Sequence, residues 1–181
     1  MHYIKTDIQG VMILEPKVFG DERGFFMETF RQDIFNKMCG ETVFVQDNHS
    51  KSRQGILRGL HYQLRQTQGK LVRVTQGEVY DVAVDMRANS STYGQHIGIV
   101  LSAPNKRQLW VPPGFAHGFY VMSEQAEFVY KCTDYYLPEA EVSLAWDDPK
   151  LNIQWPLLDN QPPLLSSKDA GGLSFIKAPT L

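Results

Sequence analysis

Apolar residues along this chain recur mainly at alternate positions, in short runs broken by glycine and proline. That period is the signature of β-strands with one face turned inward. Val11 to Val18 forms a first run that closes at Phe19-Gly20-Asp21, and Gly24 to Phe30 forms a second. Strand patterns follow at about 42–50, 55–63, 70–76, 78–86, 95–102, 107–111, 115–121 and 126–136. Gln76-Gly77-Glu78 reads as a tight hairpin turn. In 80–86, Tyr80, Val82, Val84 and Met86 alternate with Asp81, Ala83 and Asp85, which predicts a half-buried strand. One segment departs from this period. Ile34, Phe35 and Met38 have helical spacing within residues 31–39, and Gly40 is a plausible stop. After Leu137 the pattern weakens, and Asp147-Asp-Pro, Trp155-Pro and Gln161-Pro-Pro predict an irregular C-terminal arm laid over the strands. Many short strands with little helix predict an all-β sandwich or jelly-roll barrel. Residues 1–181 are expected to form a single domain.

Composition narrows the function little. The chain is 43% hydrophobic and 21% charged, ordinary values for a globular protein, and its formal net charge of −2 provides no basic field for nucleic acid. Two cysteines, Cys39 and Cys132, make no disulfide framework and fit a reduced, cytoplasmic compartment. The opening Met-His-Tyr-Ile-Lys-Thr-Asp-Ile lacks the cationic and apolar parts of a signal peptide. No apolar run approaches the roughly 20 residues of a membrane helix.

Two motifs carry the candidate chemistry. Arg58-Gly-Leu-His61-Tyr-Gln63 and Val111-Pro-Pro-Gly114-Phe-Ala-His117-Gly-Phe119 each set a histidine into an apolar strand. A buried imidazole suits metal ligation or proton transfer. Spacing argues against metal. Pro112-Pro-Gly114-Phe-Ala-His117 resembles the later half of a metal-binding cupin motif, but the earlier His-x-His and its glutamate are absent, and Gln63 stands where the second histidine should be. Two imidazoles and an amide are a poor ligand set for iron, manganese or zinc, and nearby Lys70 would repel a cation. Proton chemistry fits better. An imidazole can remove a proton beside a carbonyl, an ammonium can stabilise the enolate oxygen, and arginines such as Arg23, Arg58 and Arg73 can hold phosphate.

Several ordered motifs resemble a known family. Arg58-Gly-Leu-His-Tyr-Gln63, Gln68-Gly-Lys-Leu-Val-Arg73, Gly77-Glu-Val-Tyr-Asp-Val82, Val111–Phe119, Tyr130-Lys-Cys-Thr-Asp-Tyr-Tyr136 and Ser166-Ser-Lys-Asp169 look like the dTDP-4-dehydrorhamnose 3,5-epimerases. The pattern runs from Gly20-Asp-Glu-Arg-Gly24 to Lys168-Asp169. The resemblance implies a cupin-type jelly-roll barrel, with a few short helices, that needs no metal or organic cofactor. It implies 3,5-epimerisation of dTDP-4-dehydro-6-deoxy-D-glucose to dTDP-4-dehydro-L-rhamnose, a step of dTDP-L-rhamnose biosynthesis. His61 would be the base at carbons 3 and 5, oriented by Asp169. Tyr130 would return a proton to the opposite face of the sugar, and Lys70 would stabilise the enolate. Arg23, Arg58 and His117 would bind the diphosphate and nearby sugar. Glu28, Gln46, Asn48 and Glu141 would meet nucleotide and sugar hydroxyls. Tyr136, with Phe26, would stack on thymine, and Lys168 would touch substrate. The family also implies a homodimer with exchanged N-terminal strands, in which Val11-Met-Ile-Leu14 pairs with a partner's sheet edge and Arg23 completes the partner's site. No nucleic acid or membrane partner is expected.

One local conflict generates a structural expectation. Residues two apart on a strand share a face, so His61 and Gln63 point together while Arg58, three places from His61, points away. If Arg58 and His61 both meet substrate, the alternation must break, and Gly59 is where a bulge would be tolerated. Three other readings stay open: a relative of the same fold that epimerises one carbon only or isomerises the ketone, a cupin that binds a sugar nucleotide or another small ligand without turning it over, and a metal-dependent cupin oxygenase.

Overall fold

The computed structural model describes residues 1–181 and consists of two antiparallel sheets packed face to face. The strands are β1 (His2–Lys5), β2 (Met12–Glu15), β3 (Val18–Asp21), β4 (Gly24–Met27), β5 (Gln46–Arg53), β6 (Leu57–Gln63), β7 (Lys70–Gln76), β8 (Glu78–Asp85), β9 (His96–Ser102), β10 (Gln108–Val111), β11 (Phe115–Val121), β12 (Gln125–Cys132) and β13 (Glu141–Ser143). Six form a sheet in the order β1-β2-β10-β7-β12-β5, and five form a second in the order β13-β6-β11-β8-β9. The remaining two, β3 and β4, make a separate hairpin. This is the all-β cupin-type jelly roll that the resemblance implies. Helix α1 (Gln32–Cys39) covers the expected helical segment and ends at Gly40, whose positive φ of 95° favours glycine. The strand expected at 42–50 starts only at Gln46, and the one expected to reach 136 stops at Cys132.

Three apolar clusters hold the layers. One fills the closed half of the barrel, around Val72, Val79, Leu109, Phe119 and Phe128. The second lies on the outer face of the five-stranded sheet, where Leu151, Phe175 and Ala178 of the C-terminal arm cover Leu60, Val82 and Val84. The third packs Phe35 of α1 against Trp110 on the outer face of the other sheet. Because the arm covers its outer face, β8 is not half-buried as its alternation predicts. It is buried on both faces from Val82 to Asp85. Asp148 pins the arm by accepting hydrogen bonds from the amides of Lys150 (2.8 Å), Leu151 (3.2 Å) and Phe175 (2.8 Å).

The pairing of β6 with β11 breaks register where the chain needs it. His117 faces His61, but Phe119 faces Arg58, so three steps along β6 match two along β11. One extra residue is therefore accommodated on β6, around Gly59, whose φ is 115°. The Gly59–Leu60 peptide bond is cis. The bulge turns both Arg58 and His61 toward one cavity. Within Val11-Met-Ile-Leu14, Met12 to Leu14 pair with Gln108 to Trp110 of the same chain.

Buried Asp85, at the end of β8, accepts hydrogen bonds from Arg87, Ser90 and Thr92. Burial alone would raise its pKa. These donors outweigh burial and hold it at about 2. A depressed carboxyl stabilises the fold fully above the unfolded pKa near 4, and that stability is lost as pH falls through the folded value. The contribution is about 2 kcal/mol. Thermal melts from neutral to strongly acid pH should show Asp85→Asn less stable at neutrality, with a flatter decline below about pH 4. An acid decline as steep as that of the unmutated chain would refute this account.

Candidate active site

The open half of the barrel is a cavity of about 760 Å³. Each layer supplies its own groups. From the five-stranded sheet come Arg58, His61 and His117, and Glu141 follows on its edge strand β13. From the six-stranded sheet come Gln46, Asn48, Lys70 and Tyr130. The C-terminal arm adds Lys168 and Asp169. Tyr136 enters from the loop after β12. Facing sheets stand about 10 Å apart, so groups on opposite sheets can address opposite sides of one flat ligand.

His61 is held by residues distant in sequence. Its Nε2 donates to Asp169 Oδ1 at 2.5 Å. Burial favours the neutral acid at Asp169, but His61, the Ser166 hydroxyl and the Gly59 backbone together lower its pKa, so it is a carboxylate. Ser166 does two jobs. Its Oγ donates to Asp169 Oδ2 at 2.8 Å, and it accepts the Asp169 amide as the N-cap of the short helix α2 (Ser167–Ala170). The arm reaches this position because Leu164 hydrogen-bonds the backbone of Gly55 and Leu57 at the cavity rim. With Nε2 occupied, Nδ1 is the imidazole nitrogen left free, and Glu141 Oε1 lies 3.7 Å from it.

Across the cavity, burial pushes the Lys70 ammonium below its ordinary pKa, although Cys132, Glu141 and Asp81 partly oppose this. Lys70 forms no ion pair within the chain. Burial pushes the Tyr130 phenol up to about 12, with Cys132 and Glu141 adding to the rise and Arg58 opposing it. Arg58 is steadied by Ser52, whose hydroxyl accepts from its Nε at 2.9 Å. Beside His61 in the ladder, buried His117 donates its Nε2 to both oxygens of Asp81, at 2.9 and 3.0 Å. Gln46 Oε1 accepts the Tyr136 amide at 3.0 Å, and Gln46 Nε2 donates to Asn48 at 3.1 Å. Glu141 Oε2 accepts from Lys168 Nζ at 2.6 Å and from the Tyr136 hydroxyl at 2.9 Å. No group of three or more His, Cys, Asp and Glu side chains could hold a metal ion.

Eleven of the residues singled out from sequence thus meet in one cavity. Three do not. Arg23, Phe26 and Glu28 lie on or just after the β3–β4 hairpin, outside the cavity of their own chain, and all three are exposed. Arg23 pairs with Asp21 on the same hairpin. The hairpin also exposes Val18, Phe19 and Phe25, a concentration of apolar surface that solvent alone does not favour. Arg73 faces away from the cavity and lines a smaller recess with Leu71 and Gln108. Sequence reading missed the supporting groups Asp81, Ser52, Ser166 and Gln63. Gln63 fastens the loop that carries Tyr136: its Nε2 donates to the carbonyls of Gln66 and Tyr135, and its Oε1 accepts the Leu137 amide. Asp81 was visible as a carboxylate within the β8 pattern, and Gln63 and Ser166 lay inside quoted motifs without a role of their own; Ser52 carried no local signal.

A jelly roll whose interior is half apolar core and half a chamber of acid, base and ammonium groups belongs to the cupin-type acid–base enzymes. More narrowly, the chain belongs to the dTDP-4-dehydrorhamnose 3,5-epimerase family, whose sequence profile matches residues 5–176. The Pseudomonas aeruginosa dTDP-4-dehydrorhamnose 3,5-epimerase is 60% identical over 179 residues, 98% of each chain. The Shigella flexneri protein of that name is 58% identical over 180 residues, again 98% of each. Among solved structures, the dTDP-6-deoxy-D-glucose-3,5-epimerase of Legionella pneumophila in complex with dTDP-4-keto-L-rhamnose superposes with a TM-score of 0.95 at 52% identity, covering 99% of this chain and 98% of that one.

The phenol of Tyr130 should stay protonated well beyond the ordinary tyrosine range near 10. Subtracting the phenolate absorbance titration of Tyr130→Phe from that of the unmutated chain should isolate one group titrating at about 12. A group appearing near 10 instead would mean that the phenol is solvated.

Proposed function

We propose that the chain epimerises dTDP-4-dehydro-6-deoxy-D-glucose at carbons 3 and 5, giving dTDP-4-dehydro-L-rhamnose for dTDP-L-rhamnose biosynthesis. Residues 1–181 act as one catalytic domain. The observation that carries the reading is the division of labour across the cavity: the His61–Asp169 pair on one side, Tyr130 and Lys70 on the other. Inversion at carbon needs a base on one face and a proton donor on the other. His61 takes the proton at Nδ1 while Asp169 holds Nε2–H and stabilises the imidazolium that forms. Both target carbons flank the ketone, so one carbonyl acidifies both protons. Lys70, with no carboxylate of its own, stabilises the enolate oxygen as charge develops there. Tyr130 gives its proton to the far face. Arg58 and His117 hold the diphosphate and nearby sugar; Gln46, Asn48, Glu141 and Lys168 meet polar groups of the nucleotide and sugar; Tyr136 stacks on the base. The cavity is large enough for a ligand of this size.

Proton NMR with the 4-keto substrate in deuterated water should show deuterium entering at both carbon 3 and carbon 5. His61→Ala should cut turnover by about 10²–10⁴-fold while the fold persists. Deuterium at one carbon alone would make this a single-site epimerase, and a His61→Ala variant with most of its activity would displace His61 as the base.

We also infer that the working form is a homodimer in which Arg23, Phe26 and Glu28 complete the partner's cavity. The exposed apolar side chains of the β3–β4 hairpin and its separation from the cavity of its own chain support this. Mixing inactive Arg23→Ala with inactive His61→Ala under exchange conditions should restore activity, because one intact site forms per mixed dimer. An active monomer by sedimentation, or no recovery on mixing, would rule it out.

A further inference from the structure

A single base that acts at two carbons must be emptied between the two events. Each inversion leaves one proton on His61 and removes one from Tyr130. The phenol restores itself readily, since a phenolate whose conjugate acid titrates at about 12 takes a proton from water at neutral pH. His61 must likewise shed its new proton, which sits on Nδ1 because Nε2–H is already engaged by Asp169.

We propose that Glu141 is the outlet for that proton and so permits His61 to act twice on one bound sugar. This rests on the reading of His61 as the common base. Glu141 Oε1, 3.7 Å from Nδ1, is the nearest carboxylate oxygen on that side, within reach of a modest side-chain rotation. The diagonal placement in the β6–β13 ladder, where Glu141 faces Gln63 and Ser143 faces His61, brings the two side chains together. The other oxygen of Glu141 is fully occupied by Lys168 and Tyr136, which leaves Oε1 as the accepting atom. Lys168 and Tyr136 are both exposed, so the carboxylate stands between the enclosed base and bulk water. Burial would favour a protonated Glu141, but Lys168, His61 and Tyr136 outweigh it and keep its pKa low. A proton arriving there is therefore passed on to water rather than stored. The balance closes: water gives one proton to the Tyr130 phenolate, and water receives one from Glu141.

The test compares the unmutated chain, Glu141→Gln and Glu141→Asp in deuterated water, following singly and doubly inverted products by mass and NMR. Glutamine can still accept from Lys168 and Tyr136 but cannot carry the proton. Glu141→Gln should release sugar inverted at one carbon with one deuterium, its ratio of doubly to singly inverted product falling about tenfold or more, and Glu141→Asp should recover most of that ratio. A Gln variant with a raised KM and an unchanged ratio would make Glu141 a binding group only and overturn the proposal. Loss of even the first exchange would also overturn it. Absence of deuterium at both carbons in the unmutated chain would instead overturn the reading of His61 as base.

Discussion

The whole arrangement depends on how closely β6 and β11 approach at Gly59 and Gly118. A Cβ at Gly59 would lie 2.5 Å from the Gly118 Cα and 2.7 Å from the His117 carbonyl oxygen; one at Gly118 would lie 2.5 Å from the Arg58 carbonyl oxygen. Neither position has room for a side chain. The extra residue of the bulge is accommodated because both strands are bare at that point. From it follow the shared orientation of Arg58 and His61, the alignment of His61 beside His117, and the approach of the Asp169 carboxylate to the Gly59 backbone. Elsewhere along the ladder the strands obey ordinary alternation and simply build the wall.

The two sheets divide the barrel between incompatible tasks. Toward one end the inner faces meet as apolar core, with Phe119 stacked on Phe128 at 4.2 Å between centroids. Toward the other, the same strands turn lysine, tyrosine, histidine and arginine inward. Each buried polar group there is either partnered or left facing the cavity, and no fully buried side-chain nitrogen or oxygen lacks a hydrogen bond. The groups without an ion-pair or hydrogen-bond partner in the chain, Lys70 and the Tyr130 hydroxyl, are those expected to meet charge only when substrate arrives. Both face the cavity rather than a partner in the wall, which leaves them available to a ligand.

Much of this was legible in the amino-acid pattern, and the failures have local causes. The positions of strands β6 to β12 follow from alternation and glycine turns. The bulge at Gly59 could be foreseen because two useful side chains lay an odd number of residues apart. Alternation misled at β8, where Asp81 and Asp85 read as solvent-facing but are enclosed by hydrogen-bond partners and by layers on both sides. Burial by a distant arm leaves no mark on a strand's own period. Motifs picked out the candidate acid and base groups that meet in the cavity, whereas the residues that steady them had only their surroundings to distinguish them. Ser52, Gln63 and Ser166 are common polar side chains whose roles appear only once the chain is folded around them. The hairpin residues Arg23, Phe26 and Glu28 show the complementary limit, because a motif can single out residues without placing them, and all three lie outside the cavity of their own chain.

Asp169 reaches His61 from 108 residues further along the chain, on an arm that adds no central strand to either sheet. The barrel's ladders are complete by β13, yet the imidazole lacks its carboxylate until the arm has been laid down. A chain ended before the arm would lose at once the carboxylate on His61, one wall of the cavity and the cover over Leu60, Val82 and Val84.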